Sequence, residues 1–218
     1  MIQRIALITG ASRGLGAALA EDLAIRGWHV VALARTVGGL EELDDRVKAL
    51  GLPGAGGLTL APMDVTDSDA MQHLCLSIHQ RWGGLQLWAH TAIHAAPLAP
   101  AGSIDAKDMA KSVATNLTAT AALVPMVEPL LRAGEGQALF FDDPRAGAKF
   151  FSSYGATKAA QIAIARSWAA ENAKIGPQVR IMTPDPMPTA TRARFFPGED
   201  RAPLQAPRDV ARRLLAGL

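Results

Sequence analysis

Thr9-Gly10-Ala11-Ser12-Arg13-Gly14-Leu15-Gly16 is the stretch that decides the fold of this 218-residue chain. The apolar residues 2–9 lead into it and predict a buried strand. Residues 13–26 leave it with apolar side chains at helical spacing, and Gly27 marks the end of that helix. A strand, a glycine-rich turn and a helix in succession are typical of the first unit of a Rossmann-type domain. We expect a single such domain over residues 1–218.

Strand-like and helix-like segments alternate along the rest of the chain. Apolar runs predict strands over residues 2–9, 28–34, 58–63, 85–91, 138–141 and 179–183. Helical spacing predicts helices over residues 13–26, 40–50, 67–82, 105–133, 151–174 and 208–215. Because crossovers between parallel strands are right-handed, this order predicts a three-layer α/β/α Rossmann fold, doubly wound around a parallel sheet of about six strands. Ligands of such sheets bind at the carboxyl ends of the strands.

Glycines and prolines mark the connections between these segments. Residues 52–57 are rich in glycine and predict a surface loop between a helix and a strand. Residues 184–207 are rich in proline and predict a long loop before the last helix. Pro125 and Pro129 fall inside the predicted helix 105–133, where they are candidates for a kink.

The composition excludes several classes of protein. The formal net charge is only +2, and the basic residues are scattered rather than grouped in a stripe, so we expect no nucleic-acid partner. No apolar run approaches the roughly 18 residues that a membrane span needs. The single cysteine, Cys75, allows no intrachain disulfide and falls on the inner face of a predicted helix. We therefore expect a cytoplasmic protein.

The glycine turn is also a candidate ligand site. Glycines let the backbone turn tightly and approach a pyrophosphate, and the helix that follows offers unpaired N–H groups and the positive end of its dipole. The turn therefore predicts dinucleotide binding, although an ordinary glycine turn is the alternative. The residues predicted to take part are Gly10, Ser12, Arg13, Gly14, Leu15 and Gly16.

A second candidate site lies in Tyr154-Gly155-Ala156-Thr157-Lys158, at the start of a predicted helix. A spacing of four residues places Tyr154 and Lys158 on one face, one turn apart. Because an ammonium group favours the charged tyrosinate, we expect the pKa of Tyr154 to fall below its usual value of about 10. The phenol could then exchange a proton with a carbonyl or an alcohol. By itself such a pair is usually exposed and without function, but Tyr154 is the only tyrosine of the chain.

The two motifs together resemble those of the short-chain dehydrogenase/reductase superfamily, and the resemblance extends over nearly the whole chain. It implies hydride transfer between a nicotinamide cofactor and a small-molecule carbonyl or alcohol. In that scheme Tyr154 is the acid/base, and Lys158 lowers its pKa and holds the cofactor ribose. Asn116, in Ala114-Thr115-Asn116-Leu117, resembles the asparagine that holds a water in the proton relay.

The resemblance implies further cofactor contacts. Asp64 and Val65 match the pair that contacts the adenine, and Ala92 falls in the stretch after the fourth strand. Pro184 and Thr189 match the ends of the PGxxxT stretch, whose threonine meets the nicotinamide amide.

The charged residues near the end of the second predicted strand indicate which cofactor to expect. Enzymes that use NAD place an acidic residue at the end of the second strand, where it binds the ribose 2′-hydroxyl and would repel a 2′-phosphate. Here Ala34 takes that place and Arg35 follows it, with Arg13 on the same side. Two guanidinium groups without a carboxylate suit a 2′-phosphate, so we expect NADP(H) rather than NAD(H). The alternative is that Arg35 lies in solvent.

The place of the family's catalytic serine, near the end of the fifth strand, holds Asp142 and Asp143 instead. That serine donates a hydrogen bond to the substrate oxygen, whereas an ionised aspartate only accepts and raises the pKa of a nearby tyrosine. We assign the position to Asp143, with Asp142 as the alternative. Three interpretations stay open: one aspartate is protonated in a dry site, the carbonyl chemistry is weakened or absent, or both aspartates point to water.

Other positions depart from the family as well. His90-Thr91-Ala92-Ile93 stands where the family has NNAG, and Pro184-Asp185 replaces its PG. His90 and His94 have no carboxylate or cysteine pattern near them, so we expect no metal site. After residues 208–215 the family continues into a seventh strand and a tail that contributes to a tetramer interface. We therefore expect six strands, and a homodimer as the assembly.

Two functions remain open at this point. The leading hypothesis is an NADP(H)-dependent oxidoreductase that interconverts a carbonyl and an alcohol, favoured by Asn116, Tyr154 and Lys158. The alternative is a non-catalytic or strongly impaired NADP(H)-binding protein, favoured by the missing serine. Residues 184–207 are expected to shape the substrate pocket.

Overall fold

Six parallel strands form the central sheet of the computed structural model, which describes residues 3–51 and 54–218. The strands are β1 Ile5–Thr9, β2 His29–Ala34, β3 Leu58–Pro62, β4 Leu87–His90, β5 Gln137–Phe141 and β6 Gln178–Met182. Their order across the sheet is β3-β2-β1-β4-β5-β6, and every neighbouring pair is parallel. The predicted doubly wound sheet is confirmed. Ile2, at the predicted start of β1, lies outside the described residues, as do Leu52 and Pro53 of the predicted loop 52–57.

Helices cover both faces of this sheet. They are α1 Gly14–Ile25, α2 Val37–Ala49, α3 Ser68–Trp82, α4 Ala106–Ser112, α5 Ala119–Ala133, α6 Ser152–Glu171, α7 Ala190–Phe195 and α8 Pro207–Leu214. One hydrophobic core lies between the sheet and helices α1, α2 and α8. A second core lies between the opposite face and helices α3, α5 and α6. The three layers of the predicted α/β/α architecture are therefore present.

Strand β1 shows why both faces are covered. Ala6 and Ile8 point into the first core, and Ile5 and Leu7 point into the second. Successive side chains of a strand point to opposite faces, so a strand that is apolar at every position must be buried on both sides. The apolar run in the sequence therefore fixes the place of β1 inside the sheet.

The predicted helix over residues 105–133 is the largest departure from expectation. Its middle part, Val113–Thr118, is π-helical and separates α4 from α5. Helix α5 runs through Pro125 and Pro129 without a break, so the irregularity lies upstream of both prolines. A π-helical turn adds a residue to the repeat, and residue composition gives no warning of it.

Two smaller corrections concern a loop and a helix end. The predicted loop 184–207 contains helix α7, which begins after Thr189, whose hydroxyl accepts a hydrogen bond from the Arg192 backbone at 3.2 Å. Helix α2 begins at Val37, three residues earlier than predicted. Helix α3 is capped by Asp67, whose carboxylate accepts a hydrogen bond from the Ala70 backbone N–H at 3.0 Å. No helix within the described residues is both long enough and apolar enough to cross a bilayer.

The first turn of α1 packs directly on the turn that precedes it. Gly10 donates its backbone N–H to the Leu33 carbonyl oxygen at 2.8 Å, which ties the turn to β2. A Cβ atom on Gly16 would lie 2.3 Å from the Gly10 carbonyl oxygen and 2.4 Å from Thr91 Oγ1. Only a residue without a side chain fits there. Glycine at position 16 therefore sets how closely α1 approaches the carboxyl edge of the sheet.

The close contact between Gly16 and the Gly10 carbonyl oxygen leads to a prediction about stability. Replacing Gly16 with alanine should lower the free energy of unfolding by about 1–3 kcal/mol, because backbone must move to admit the methyl group. The control is Gly38→Ala, where an added Cβ meets nothing within 4 Å and the helix should gain up to about 1 kcal/mol. Urea unfolding of both variants checks the difference. Equal stability of the two variants would contradict the packing described here.

Candidate active site

A cleft of about 480 Å³ opens at the carboxyl edge of the sheet. Every residue predicted to contact the cofactor lines it, namely Gly10, Ser12, Arg13, Gly14, Leu15, Gly16, Arg35, Asp64, Val65, Ala92, Tyr154, Lys158, Pro184 and Thr189. Asp143 also lines the cleft, whereas Asn116 is fully buried and does not. The cleft lies where the strand order reverses between β1 and β4, which is the usual ligand position in such sheets.

The glycine turn supplies one end of the cleft. Helix α1 begins there at Gly14, which has a φ of 58°, and the preceding residue, Arg13, makes no side-chain cap. The first turn of α1 also contains no acidic residue. Uncapped N–H groups and an uncompensated dipole therefore face the cleft, and this arrangement fits the pyrophosphate of a dinucleotide.

Two arginines lie near the same end. Arg35, directly after β2, pairs with Asp64 across 3.6 Å, and its side chain is 60% exposed. An ion pair this exposed contributes little to the stability of the fold, so the Arg35 guanidinium is available to bind an anion. The Arg13 side chain makes no hydrogen bond or ion pair with another described residue. The cleft thus carries two cations and one carboxylate at the edge of β2 and β3.

The other end of the cleft holds Tyr154. Its hydroxyl donates a hydrogen bond to Asp143 Oδ2 at 3.2 Å, and Arg145 Nε donates to Asp143 Oδ1 at 3.0 Å. Asp142 turns elsewhere and pairs with Arg166 at 3.5 Å. Of the two aspartates, Asp143 is therefore the one that contacts the tyrosine. The interpretation in which both aspartates point to water does not hold.

The pKa of Tyr154 is raised well above its ordinary value, opposite to the direction expected from the Tyr154–Lys158 spacing. Burial is the main cause, because it disfavours the charged tyrosinate, and the charge and hydrogen bond of Asp143 add to it. Arg145 offsets part of this increase in pKa. The phenol of Tyr154 is consequently neutral at physiological pH.

Lys158 does not contact Tyr154 by hydrogen bond. Its Nζ atom donates instead to Oε1 of Gln161 at 2.8 Å, one turn further along α6. Burial lowers the pKa of Lys158 to about 8, although the carboxylates of Asp142 and Asp143 act in the opposite direction. A side chain that lines a cleft with such a pKa is a candidate functional group.

Asn116 lies behind the cleft, in the π-helical segment. Its amide nitrogen donates to the His94 carbonyl oxygen and to Thr157 Oγ1, both at 3.0 Å. Its side-chain oxygen accepts from the His94 backbone N–H at 2.7 Å. The Asn116 side chain therefore ties the loop after β4 to α6. The structure does not bring it to the cleft together with Tyr154 and Lys158, so its place in a proton relay stays a prediction.

Sequence reasoning missed an aromatic group beside Tyr154. The ring of Phe195, in α7, lies 4.7 Å from that of Tyr154 between centroids. The Arg145 guanidinium lies 5.5 Å from the Phe151 ring and 5.4 Å from the Phe196 ring. Residues 195 and 196 belong to a segment whose prolines predicted only a loop. The one available indication was the pair of adjacent phenylalanines, which a solvent-exposed loop seldom carries.

Comparisons with known proteins identify the family of this chain. The family model for short chain dehydrogenases matches residues 4–200. A short chain dehydrogenase of Shigella flexneri, solved as a complex with NADP, is 26% identical, with a TM-score of 0.85 over 94% of this chain and 87% of that chain. One from Pseudomonas syringae is 27% identical, with a TM-score of 0.86 over 95% of this chain and 86% of that chain.

Curated proteins include a tropinone reductase homologue of Arabidopsis thaliana, 30% identical over 174 residues, which are 77% of this chain and 63% of the relative. The chain spans between 35% and 66% of the length of the curated relatives it matches. The family match nevertheless takes in the glycine turn, Asp143, Tyr154 and Lys158 together. This chain belongs to the short-chain dehydrogenase family.

Proposed function

We propose that this protein is an NADP(H)-dependent oxidoreductase that interconverts a carbonyl and an alcohol of a small molecule, and that Asp143 slows it. One observation carries the proposal: the Tyr154 phenol and the Lys158 side chain line the same cleft as the uncapped N-terminus of α1. That arrangement places a proton donor and an anion site in one cavity. Family membership adds the expectation of hydride transfer.

The cofactor would be held along the carboxyl edge of the sheet. The glycine turn would bind its pyrophosphate, Arg13 and Arg35 its 2′-phosphate, and Asp64 and Val65 its adenine. When bound, NADPH supplies the hydride and NADP⁺ accepts it. The NADP complex of the Shigella flexneri relative supports this choice of cofactor.

The nicotinamide end would lie nearer to Tyr154. Ala92, Pro184 and Thr189 would contact the nicotinamide, and Lys158 the ribose beside it. Helix α7 begins directly after Thr189 and carries Phe195, whose ring already lies 4.7 Å from that of Tyr154. The substrate would then bind between α7 and the end of β5.

The protonation state of Tyr154 favours reduction of a carbonyl over oxidation of an alcohol. A neutral phenol can give its proton to the oxygen of a carbonyl as that carbonyl is reduced. It cannot take a proton from an alcohol, because its raised pKa keeps it protonated. Its single proton is directed at Asp143 Oδ2, so a substrate oxygen must compete with a carboxylate for it. We therefore expect slow reduction of aldehydes or ketones.

The contact between Tyr154 and Asp143 also favours a second candidate function. If no substrate oxygen displaces the carboxylate, the protein binds NADP(H) without catalysis. Asp143 is held in place by Arg145, which makes displacement harder. This alternative predicts tight cofactor binding and no turnover of any carbonyl.

Two further expectations concern the setting of the protein. Cys75 is buried and unpaired, which supports a reducing compartment, and we propose the cytoplasm. A homodimer stays a prediction, which sedimentation of the purified chain can test.

Cofactor preference gives the first functional prediction. The Arg35→Ala variant should bind NADPH about 10- to 100-fold more weakly than the wild type, because a charge-assisted contact to the 2′-phosphate is lost. Its affinity for NADH, which has no 2′-phosphate, should hardly change. Fluorescence titration with both cofactors measures these affinities. Equal binding of NADPH and NADH by the wild type would rule out the assignment to NADP(H).

Replacing Asp143 with serine should accelerate carbonyl reduction by about 10²–10³-fold, because a neutral donor replaces a competing carboxylate. Asp142→Ser is the matched control and should change the rate far less, since Asp142 pairs with Arg166. NADPH consumption with a panel of aldehydes and ketones measures the rates, with Tyr154→Phe as the inactive reference.

Several results of this experiment discriminate between the proposals. Brisk turnover by the wild type with a slower Asp143→Ser variant would mean that the aspartate takes part in the reaction. No turnover by either protein, together with NADPH binding, would favour the non-catalytic alternative. The pKa of Tyr154 should also fall in the serine variant. Because Tyr154 is the only tyrosine, ultraviolet absorbance reports its ionisation directly.

The pKa of Lys158 predicts how cofactor binding depends on pH. As pH rises through about 8, Lys158 loses its proton and with it the attraction between its ammonium group and the cofactor. The affinity for NADPH should therefore fall in that range. Fluorescence titrations at several pH values check this, with Lys158→Met as the control that should show weak binding and no such fall. A wild-type affinity that stays constant across that range would contradict the prediction.

A further inference from the structure

A chain of buried polar side chains runs from β1 to the candidate active site. Its members are Thr9 in β1, His90 in β4, Thr120 in α5, and Gln161 and Lys158 in α6. None is more than 6% exposed. Apart from Lys158, the proposed reaction uses none of them. Polar groups are costly to bury unless each finds a partner, so this chain needs a physical explanation.

The orientation of Gln161 follows from the chemistry of Lys158. An ammonium group can only donate, so the side-chain oxygen of Gln161 must face Nζ, at 2.8 Å. The amide nitrogen of Gln161 then faces Thr120 and donates to its hydroxyl oxygen at 3.1 Å. The lysine thereby fixes which way the amide points.

The position of the Thr120 proton follows next. The Thr120 hydroxyl has one proton, and it is donated to the Asn116 carbonyl oxygen at 3.0 Å. His90 Nε2 lies 3.0 Å from the same hydroxyl oxygen, so it must be Nε2 that carries a proton and donates. His90 Nδ1 then accepts from the Thr9 hydroxyl at 2.8 Å.

The opposite direction of hydrogen bonding is less favourable. It would turn the Thr9 hydroxyl towards the Ala89 carbonyl oxygen, at 3.4 Å. It would also leave the oxygens of Thr120 and Asn116 facing each other at 3.0 Å without a proton between them. Every contact in the first direction lies between 2.8 and 3.1 Å.

His90 itself is fixed in the neutral state. Burial, together with the nearby charge of Lys158, lowers its pKa to about 3. Both of its ring nitrogens are engaged, one as donor and one as acceptor. The imidazole therefore serves as a rigid bridge between β1 and α5, and it leaves Thr120 and Gln161 only one arrangement.

We propose that Gln161 is a positioning residue for Lys158: braced by Thr120 and by His90 with its proton on Nε2, the side-chain oxygen of Gln161 holds the lysine ammonium group charged and in place at the wall of the cleft. The proposal deepens the function proposed above and rests on it for the use of Lys158 by a bound cofactor. The hydrogen bonds that link these buried side chains do not depend on that use.

The test follows Lys158 in the whole protein without cofactor. Proton titration is recorded by NMR of side-chain ¹³C-labelled lysine, and the Lys158→Met variant assigns the signal. In Gln161→Leu the pKa of Lys158 should fall by about one unit, because the buried ammonium loses its acceptor. In Gln161→Glu it should rise, because a carboxylate favours the charged form. Thr120→Val, of matched shape, should give a smaller fall than Gln161→Leu.

The titration must be interpreted against the other charges around Lys158. His90 faces it from β4, Asp142 and Asp143 face it from the end of β5, and Tyr154 lies one turn away on α6. Neutral His90 and neutral Tyr154 contribute no charge. Both aspartates are unchanged in every variant, so differences between variants report Gln161 and Thr120.

Long-range ¹H–¹⁵N spectra of the wild type provide a second readout. They should show His90 neutral, with the proton on Nε2, from roughly pH 5 to 8. A proton on Nδ1 would overturn the argument, as would an unchanged Lys158 pKa in folded Gln161→Leu. If Gln161→Leu does not fold, Gln161→Glu decides, because an unchanged pKa there means that position 161 does not contact Nζ.

NADPH titration separates this inference from the proposed function. Gln161→Leu should bind NADPH about tenfold more weakly than the wild type at neutral pH. If the wild type itself fails to bind NADPH, the proposed function is wrong, while the lysine titration still decides the role of Gln161. If NADPH binds equally well to both proteins, Gln161 does not position Lys158 for the cofactor and the proposal is overturned.

Discussion

The close approach of α1 to the end of β1 is the constraint on which the cleft depends. Gly16 lies against the Gly10 carbonyl oxygen with no room for a methyl group, so the start of the helix is held at the sheet edge. The far end of α1 is anchored separately, by Arg26, which donates to the Leu215 carbonyl oxygen at 2.8 Å. Arg208 pairs with Glu21 in the middle of the helix at 2.7 Å. A helix fixed along its length keeps its N–H groups aimed into the cleft.

The opposite end of the cleft is organised by competition for one proton. In a buried site a phenol beside a carboxylate is held neutral, because burial and the negative charge act in the same direction. Arg145 balances the charge of Asp143 and at the same time packs on two phenylalanine rings. The arrangement is therefore stable as it stands. In the proposed reaction a substrate oxygen would have to displace the Asp143 carboxylate from the Tyr154 hydroxyl, which a site built around a neutral hydroxyl would not require.

The sequence predicted those parts of the structure that depend on local patterns. Apolar runs placed the strands, the glycine turn placed the cleft, and the spacing of Tyr154 and Lys158 placed both on one face of α6. The Tyr154–Lys158 spacing gave the wrong direction for the Tyr154 pKa, because burial and Asp143 raise that pKa and Lys158 bonds to Gln161 rather than to the tyrosine. Spacing gives the distance between two side chains but not how much water surrounds them.

Hydrogen-bond partners that lie far apart along the chain could not be predicted from the sequence either. Gln161 lies 41 residues from Thr120, and Thr120 lies 30 residues from His90. In the sequence Gln161 is one polar residue on a helix and His90 a lone histidine at a strand end. Their relation becomes visible only when the sheet brings β4 against α5 and α6. Helix α7 was missed because its six residues are too few to establish a helical period among prolines.

The π-helical segment has a consequence for how the chain tolerates changes in length. In a regular α-helix each residue advances the phase by about 100°, so one residue fewer within Val113–Thr118 would let α4 and α5 merge into a single regular helix. That helix would be the more regular structure. In the merged helix, however, Asn116 and the apolar face of α5 could no longer point in their present directions together. Either Asn116 would rotate away from His94, or Leu123 and Val127 would rotate out of the core. The number of residues between the two helices is thus as closely specified as their identity.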